Sequence, residues 1–237
     1  MSLQHMCAAA ILAMPLWSQA SAPTQQPAQP AGPKTTYSFP IRRGAAPLRF
    51  EVGVDPTHTV TGVAVYRGTE AKPFQTLPVC ANIVTSALAA DDRDSLLIEH
   101  SDLNFDSFED LQLLQFRNRE VGTRLYCIYT WDNPAGRFRP APEIPYVNPV
   151  PHPESKTITV HQAWPGGLYA DSTYRWNAAS LQLIEERGRI AGSDDAKCSF
   201  TDHCDKVAGG KMVTTLRRAA GCSDGRPEPP LACPAKP

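Results

Sequence analysis

The stretch SDLNFDSFEDLQLL, beginning at Ser101, places oxygen-bearing side chains at Asp102, Asn104, Asp106 and Asp110. Read as D-x-N-x-D-x-x-x-D, these are positions 1, 3, 5 and 9 of a cation loop. Phe108, at position 7, would add a backbone carbonyl, as a Ca²⁺ loop requires there. Hard oxygen ligands at alternate residues let a short loop wrap one ion, whereas three crowded carboxylates without a cation repel one another. Mg²⁺ fits less well, because it seldom uses an all-protein cage. The stretch departs from an EF-hand at Ser107, where the hand has Gly, and at Leu113, where it has a bidentate Glu. Its flanks read as strands, not helices. The expectation is a strand–loop–strand site for a structural Ca²⁺, closed by Asp110. The competing reading is a solvated acidic turn, which explains the charges but less well their alternation with Leu103, Phe105 and Phe108.

Catalytic constellations are sparse. The six histidines, His5, His58, His100, His152, His161 and His203, form no paired metal motif. There is no G-x-S-x-G elbow and no Gly-rich phosphate loop. His100 precedes the acidic loop but has no motif partner. Glu99 with Asp102 suggests a glycosidase pair, yet the cation loop already uses Asp102, and acid/base roles need separated carboxylates in a cleft. No catalytic residue is assigned, and the chain is not read as an enzyme.

Composition narrows the setting. The 237 residues suffice for one sizeable domain or two small ones, and 23 Lys and Arg against 24 Asp and Glu leave no electrostatic footprint for nucleic acid or an anionic membrane. Residues 1–22 read as a signal peptide: a short apolar run, too short to span a bilayer, then small residues at Ala20 and Ala22. Residues 23–36, PTQQPAQPAGPKTT, read as an extended Pro-rich linker. The expected location is periplasmic, with secretion as the alternative and no transmembrane segment. Six cysteines remain after the leader: Cys80, Cys127, Cys198, Cys204, Cys222 and Cys233. An even number in an exported chain implies disulfides. Local spacing favours Cys198–Cys204 and Cys222–Cys233, which leaves Cys80–Cys127 to tie two strand regions. The rival is a zinc site from Cys198, His203 and Cys204, whose cysteines stand wider apart than usual ligand pairs.

The elements that must position these groups are strands. LRFEVGVD alternates Leu48, Phe50, Val52 and Val54, and TVTGVAVYRG repeats the period of two, so residues 48–67 make a hairpin. KPFQTLPVC continues extended, residues 82–94 are ambiguous, and SLLIEH leads into the acidic loop. LQLLQF, RLYCIYTW, KTITVHQAW, LYADSTYRW and LQLIEER are further strands separated by turns such as DNPAGRF and PGG. Consecutive short strands with tight turns imply an all-β fold of antiparallel meanders, a small propeller-like domain or, alternatively, a β-sandwich. The expected organisation is a β domain at 37–187 and a cysteine-rich extension at 188–237 with one good strand, KMVTTLRR.

DLNFDSFEDLQLL resembles the D-x-N-x-D-G-Y-x-D-L motif of a family of periplasmic bacterial proteins. Its best-known members are immunity proteins against lysozyme-like effectors delivered by type IV secretion. YTWDNPAGRFRP resembles the family's hairpin, and the run from Glu154 to Glu186 resembles its closing strands, so the likeness covers residues 45–187. The resemblance implies a small β-propeller-like fold, a structural Ca²⁺ on Asp102, Asn104, Asp106, the Phe108 carbonyl and Asp110, and inhibition of peptidoglycan hydrolases. The cysteine-rich tail has no counterpart in it. An inhibitor needs a protruding loop, and two candidates stand out. FRNREVGTR offers Arg117, Arg119 and Arg124 to the acidic cleft of a hydrolase; WPGGLYAD offers Trp164, Tyr169 and Asp171 around a glycine pair. Both also read as ordinary hairpin loops. The expected partner is therefore a protein, a lysozyme-like hydrolase; the alternative is a non-inhibitory envelope-binding or adhesion module.

Overall fold

The computed structural model describes residues 34–81, 83, 96–177, 180–192, 198–223, 226–229 and 233. The expected leader at 1–22, the linker apart from residues 34–36, and the 82–94 crossing apart from Ile83 lie outside the described residues. Strands β1 (Lys34–Pro40), β2 (Pro47–Val54), β3 (Val60–Arg67) and β4 (Gln75–Pro78) form a first sheet. A second holds β5 (Ile98–Ser101), β6 (Asp110–Asn118), β7 (Thr123–Asp132) and β8 (Arg137–Pro140). The third holds β9 (Pro149–His152), β10 (Thr157–Trp164), β11 (Leu168–Asn177), β12 (Ser180–Ala191), β13 (Phe200–Ala208) and β14 (Lys211–Ala220). A short ribbon of β15 (Cys222–Ser223) and β16 (Arg226–Pro227) follows. Each sheet is an antiparallel meander in chain order, the kind of unit from which propeller blades are made. The fold is all-β, as the alternation predicts. Among the described residues no helix is long and apolar enough to cross a membrane.

Period-two burial builds the core. Leu48, Phe50 and Val52 point inward from β2. On β3 the phase slips between Val60 and Val63, so both are buried. Gly62 allows the slip: its φ is 150°, and a Cβ there would stand 2.7 Å from the Leu77 carbonyl. Central strands β6 and β7 are buried on both faces, which explains their near-continuous apolar runs. One hydrophobic cluster unites the three sheets through Phe39, Phe50, Leu111, Tyr129, Ile158 and Val160.

Two expectations are corrected. The boundary at 187/188 falls inside β12, and the supposed extension supplies β13 and β14 of the same six-stranded sheet. Strand β1 likewise begins at Lys34, within the expected linker. The cysteine pairing also differs: Cys80–Cys127 forms as expected, but the others are Cys198–Cys222 and Cys204–Cys233. Cys204 lies inside extended β13, so the six steps from Cys198 would span about 20 Å, too far for a disulfide. The β13–β14 register, with Phe200 opposite Ala220, instead brings Cys198 level with Cys222. That register was hidden because β13 escaped sequence reading.

The outer half of the third sheet has little apolar core, since β14 is mostly exposed. Covalent and ionic ties replace it. Buried Arg189 grips buried Asp202 through two hydrogen bonds, at 2.6 and 2.9 Å, and also donates to the Glu228 and Pro229 carbonyls. Non-reducing peptide mapping is expected to recover the three pairings above. Replacing Cys80 and Cys127 together by Ala opens a link across 47 residues and should cost about 4 kcal/mol in urea unfolding on the chain-entropy account. A loss below about 1 kcal/mol would contradict that role.

Candidate cation loop and recognition end

The β5–β6 connection carries the acidic motif and folds on its own side chains. Asp102 accepts from the backbone N–H groups of Asp106 (3.0 Å) and Ser107 (2.8 Å). Asn104 Oδ1 accepts from Asp106 N, and Asp106 Oδ1 accepts from Phe108 N at 2.9 Å. Phe105 and Ser107 take left-handed φ values of 60° and 74°. Ser107 thus adopts a left-handed backbone conformation of the kind that favours Gly, the residue an EF-hand loop has at that position, and a side chain holds it there at a steric cost.

Asp110 is fully buried, and it accepts from Leu103 N (2.9 Å) and Trp131 N (3.0 Å). One carboxylate therefore joins the loop to β7. The Leu103 carbonyl accepts from Trp176 Nε1 of β11 at 2.9 Å, and Glu109 N donates to Ile41 O just after β1 at 2.7 Å. All three sheets meet at this loop. Burial pushes the Asp110 carboxyl up to about 7, against its two backbone donors, and the charges of Asp106 and Asp102 raise it further. Burial also raises Asp102. Hard oxygens, crowded negative charge and carboxyls pushed upward are the conditions a Ca²⁺ relieves, so the donor set fits the ion. The three carboxylates do not converge as tightly as another group: among the described residues, only Glu186, His203 and Asp205 bring three His, Cys, Asp or Glu ligand atoms within 4.8 Å of one another.

The two candidate recognition loops lie side by side. Thr123 Oγ1, at the base of the β6–β7 hairpin, donates to Ala163 O at 3.3 Å. Asn148 Nδ2 donates to Gly122 O and His161 O, stitching that hairpin to β10. Trp164 is 41% exposed and opens a 3-10 turn at Pro165–Gly167, where Gly166 and Gly167 have φ of 82° and 80°. Pro227 of β16 packs on this turn, 2.9 Å from where a Gly167 Cβ would stand. Arg119 is exposed on the neighbouring hairpin and Arg117 is half-buried.

The remaining candidates turn elsewhere. Arg124 bonds Glu99 at 2.7 Å and Tyr126, with Tyr126 also donating to Glu99, so Arg124 and Glu99 serve an internal network. His100 stacks on Phe39 and bonds Glu109. Tyr169 is half-buried, and burial raises its phenol. Asp171 bridges His161 (2.5 Å) and Arg187 (2.9 Å) on a sheet face that carries a groove of about 950 Å³. Sequence reading missed His161 and Arg187, because their approach to Asp171 depends on strand register. No protein-family model matches the chain, and no curated protein matches it. Among solved structures it is similar to a Xanthomonas type IV secretion system related protein, at 17% identity and a TM-score of 0.48, over 76% of this chain and 93% of that one.

Asp110 gives a signed pH prediction. Its folded-state affinity for a proton exceeds the unfolded one, so in chelator the stability contributed by Asp110 should be fully present below about pH 4 and be lost as pH rises to about 7, by on the order of 4 kcal/mol in all. Saturating Ca²⁺ should suppress the fall and raise the melting temperature, and Asp106→Ala should abolish both effects. Melting curves that are flat with pH and indifferent to Ca²⁺ would contradict the cation loop.

Proposed function

We propose that the protein is an exported, calcium-stabilised binding protein that inhibits lysozyme-like peptidoglycan hydrolases. The observation that carries this reading is the junction of the two candidate loops, bound to each other through Thr123, Ala163 and Asn148. The junction joins a hairpin bearing exposed Arg119 to a tight 3-10 turn bearing exposed Trp164. An exposed aromatic beside a cationic hairpin suits a cleft whose catalytic groups are carboxylates. The motif resemblance supports the same class of target. Three disulfides suit an oxidising compartment.

In this reading the Asp102–Asp110 loop is not the contact surface. A bound Ca²⁺ would offset the carboxylate repulsion there, while Asp110 holds Leu103 and Trp131 in place and the loop anchors the sheets that present the recognition end. The experiment is inhibition of a panel of lysozyme-type hydrolases by the purified protein, with and without chelator. Inhibition of at least one enzyme is expected, weakened about tenfold or more by Trp164→Ala or Arg119→Ala. Arg124→Ala should act through stability instead. No inhibition of any hydrolase, together with no hydrolase recovered in a pull-down, would sink the proposal in favour of an envelope-binding module.

A further inference from the structure

We propose that Glu186, His203 and Asp205 form a metal site for a borderline divalent ion of the zinc class, distinct in place and chemistry from the all-oxygen loop. Strands β12 and β13 put the three on one face of the third sheet. Glu186 stands opposite Asp205 in the register, and His203 stands opposite Gly188 and two residues before Asp205. His203 Nε2 lies 3.7 Å from Glu186 Oε1 and 4.0 Å from Asp205 Oδ2. Those distances are too long for hydrogen bonds. They are close to the separation of about 3.3 Å that ligand atoms have in a tetrahedral zinc shell of radius about 2.0–2.1 Å. An imidazole nitrogen with two carboxylates is a donor set that zinc-class ions accept, and three protein ligands leave a position for water.

Two independent features favour a cation at these groups. Asp205 Oδ1, the partner oxygen of the Oδ2 that faces His203, is buried with no hydrogen-bond partner among the described residues, a costly state for a carboxylate oxygen. Glu186 and Asp205, directly opposed across the strand pair, are like charges at positions where such pairs destabilise. The surroundings are also built for ligation. Ser172 Oγ donates to Glu186 Oε2 at 3.1 Å, which fixes that carboxylate with Oε1 toward His203, as outer partners of metal ligands do. Gly188 makes room for the ring, since a Cβ there would stand 2.8 Å from His203 Cε1. Between the two β13 ligands, Cys204 is tied to Cys233 and holds the strand. The nearby cation is Arg217, opposite His203 on β14 and lining the same small cavity as His203 and Asp205. It is the counter-charge a metal must tolerate.

The proposal is independent of hydrolase inhibition. Its test is Zn²⁺ binding to the full disulfide-bonded chain near neutral pH, with Ca²⁺ saturating, by competition against a chromophoric chelator. The expected result is one Zn²⁺ bound, with affinity falling about tenfold or more in Glu186→Gln and in His203→Gln and unchanged in Asp106→Ala. Far-UV dichroism checks each variant's fold. Glu186 is half-exposed, so Glu186→Gln keeps the test valid should His203→Gln misfold. Wild-type binding weaker than about 0.1 mM overturns the proposal. So does binding that survives the two substitutions, or loss confined to Asp106→Ala, which would place the ion in the acidic loop.

Discussion

The Asp110 carboxylate is the interaction on which the arrangement of the sheets depends. It is fully buried, with one oxygen on the Leu103 N–H and the other on the Trp131 N–H. Each bond satisfies a buried backbone donor that would otherwise be costly. The same short loop takes the Trp176 indole from the third sheet and gives the Glu109 N–H to the segment after β1. A charged group is an expensive way to make such a junction, and burial drives its carboxyl up to about 7. The acidic neighbours worsen that cost. A cation in the loop would convert the crowding of Asp102, Asp106 and Asp110 into an attraction.

The molecule is stabilised differently along its length. Apolar packing dominates the first two sheets and the near edge of the third. Beyond β11 the strands are increasingly exposed, and order there rests on two disulfides and on the buried Arg189–Asp202 pair. The Arg189 hydrogen bonds lower the Asp202 carboxyl, so this contribution is present at neutral pH and is lost as pH falls through the acid range. That trend is opposite to the one at Asp110. Removing one partner of such a pair strands a buried charge, so a single substitution at Arg189 or Asp202 costs more than the net contribution of the intact pair.

Strands with strict alternation were legible: Leu48, Phe50 and Val52 declare β2, and the two-sided apolar runs declare β6 and β7. β13 was not, because FTDHCDKVA alternates polar groups with one cysteine and gains its burial from a disulfide and Asp202, not from an apolar face. Losing β13 misassigned two cysteine pairs and made an integral part of the sheet look like an appendage. The hydrogen-bonded turn from Asp102 to Asp110 was legible because its side chains act on neighbours close in sequence. The meeting of Glu186 with His203 and Asp205, or of Asp171 with His161 and Arg187, was not, since both require the register of separate strands. Likewise Arg124 looked available in the sequence, and only the structure reveals that Glu99 and Tyr126 engage its guanidinium.

The meanders are pinned at a loop that all three sheets share, and in the proposed reading a cation at that loop would steady the end that meets a partner. Native-state hydrogen exchange of the Leu103 and Trp131 amides tests that account most directly. With Ca²⁺ both should be among the slowest to exchange, and chelation should speed them together by a common factor, because one carboxylate holds both. Exchange rates at the two amides that differ widely, or that ignore Ca²⁺, would contradict the loop's place as the junction of the fold.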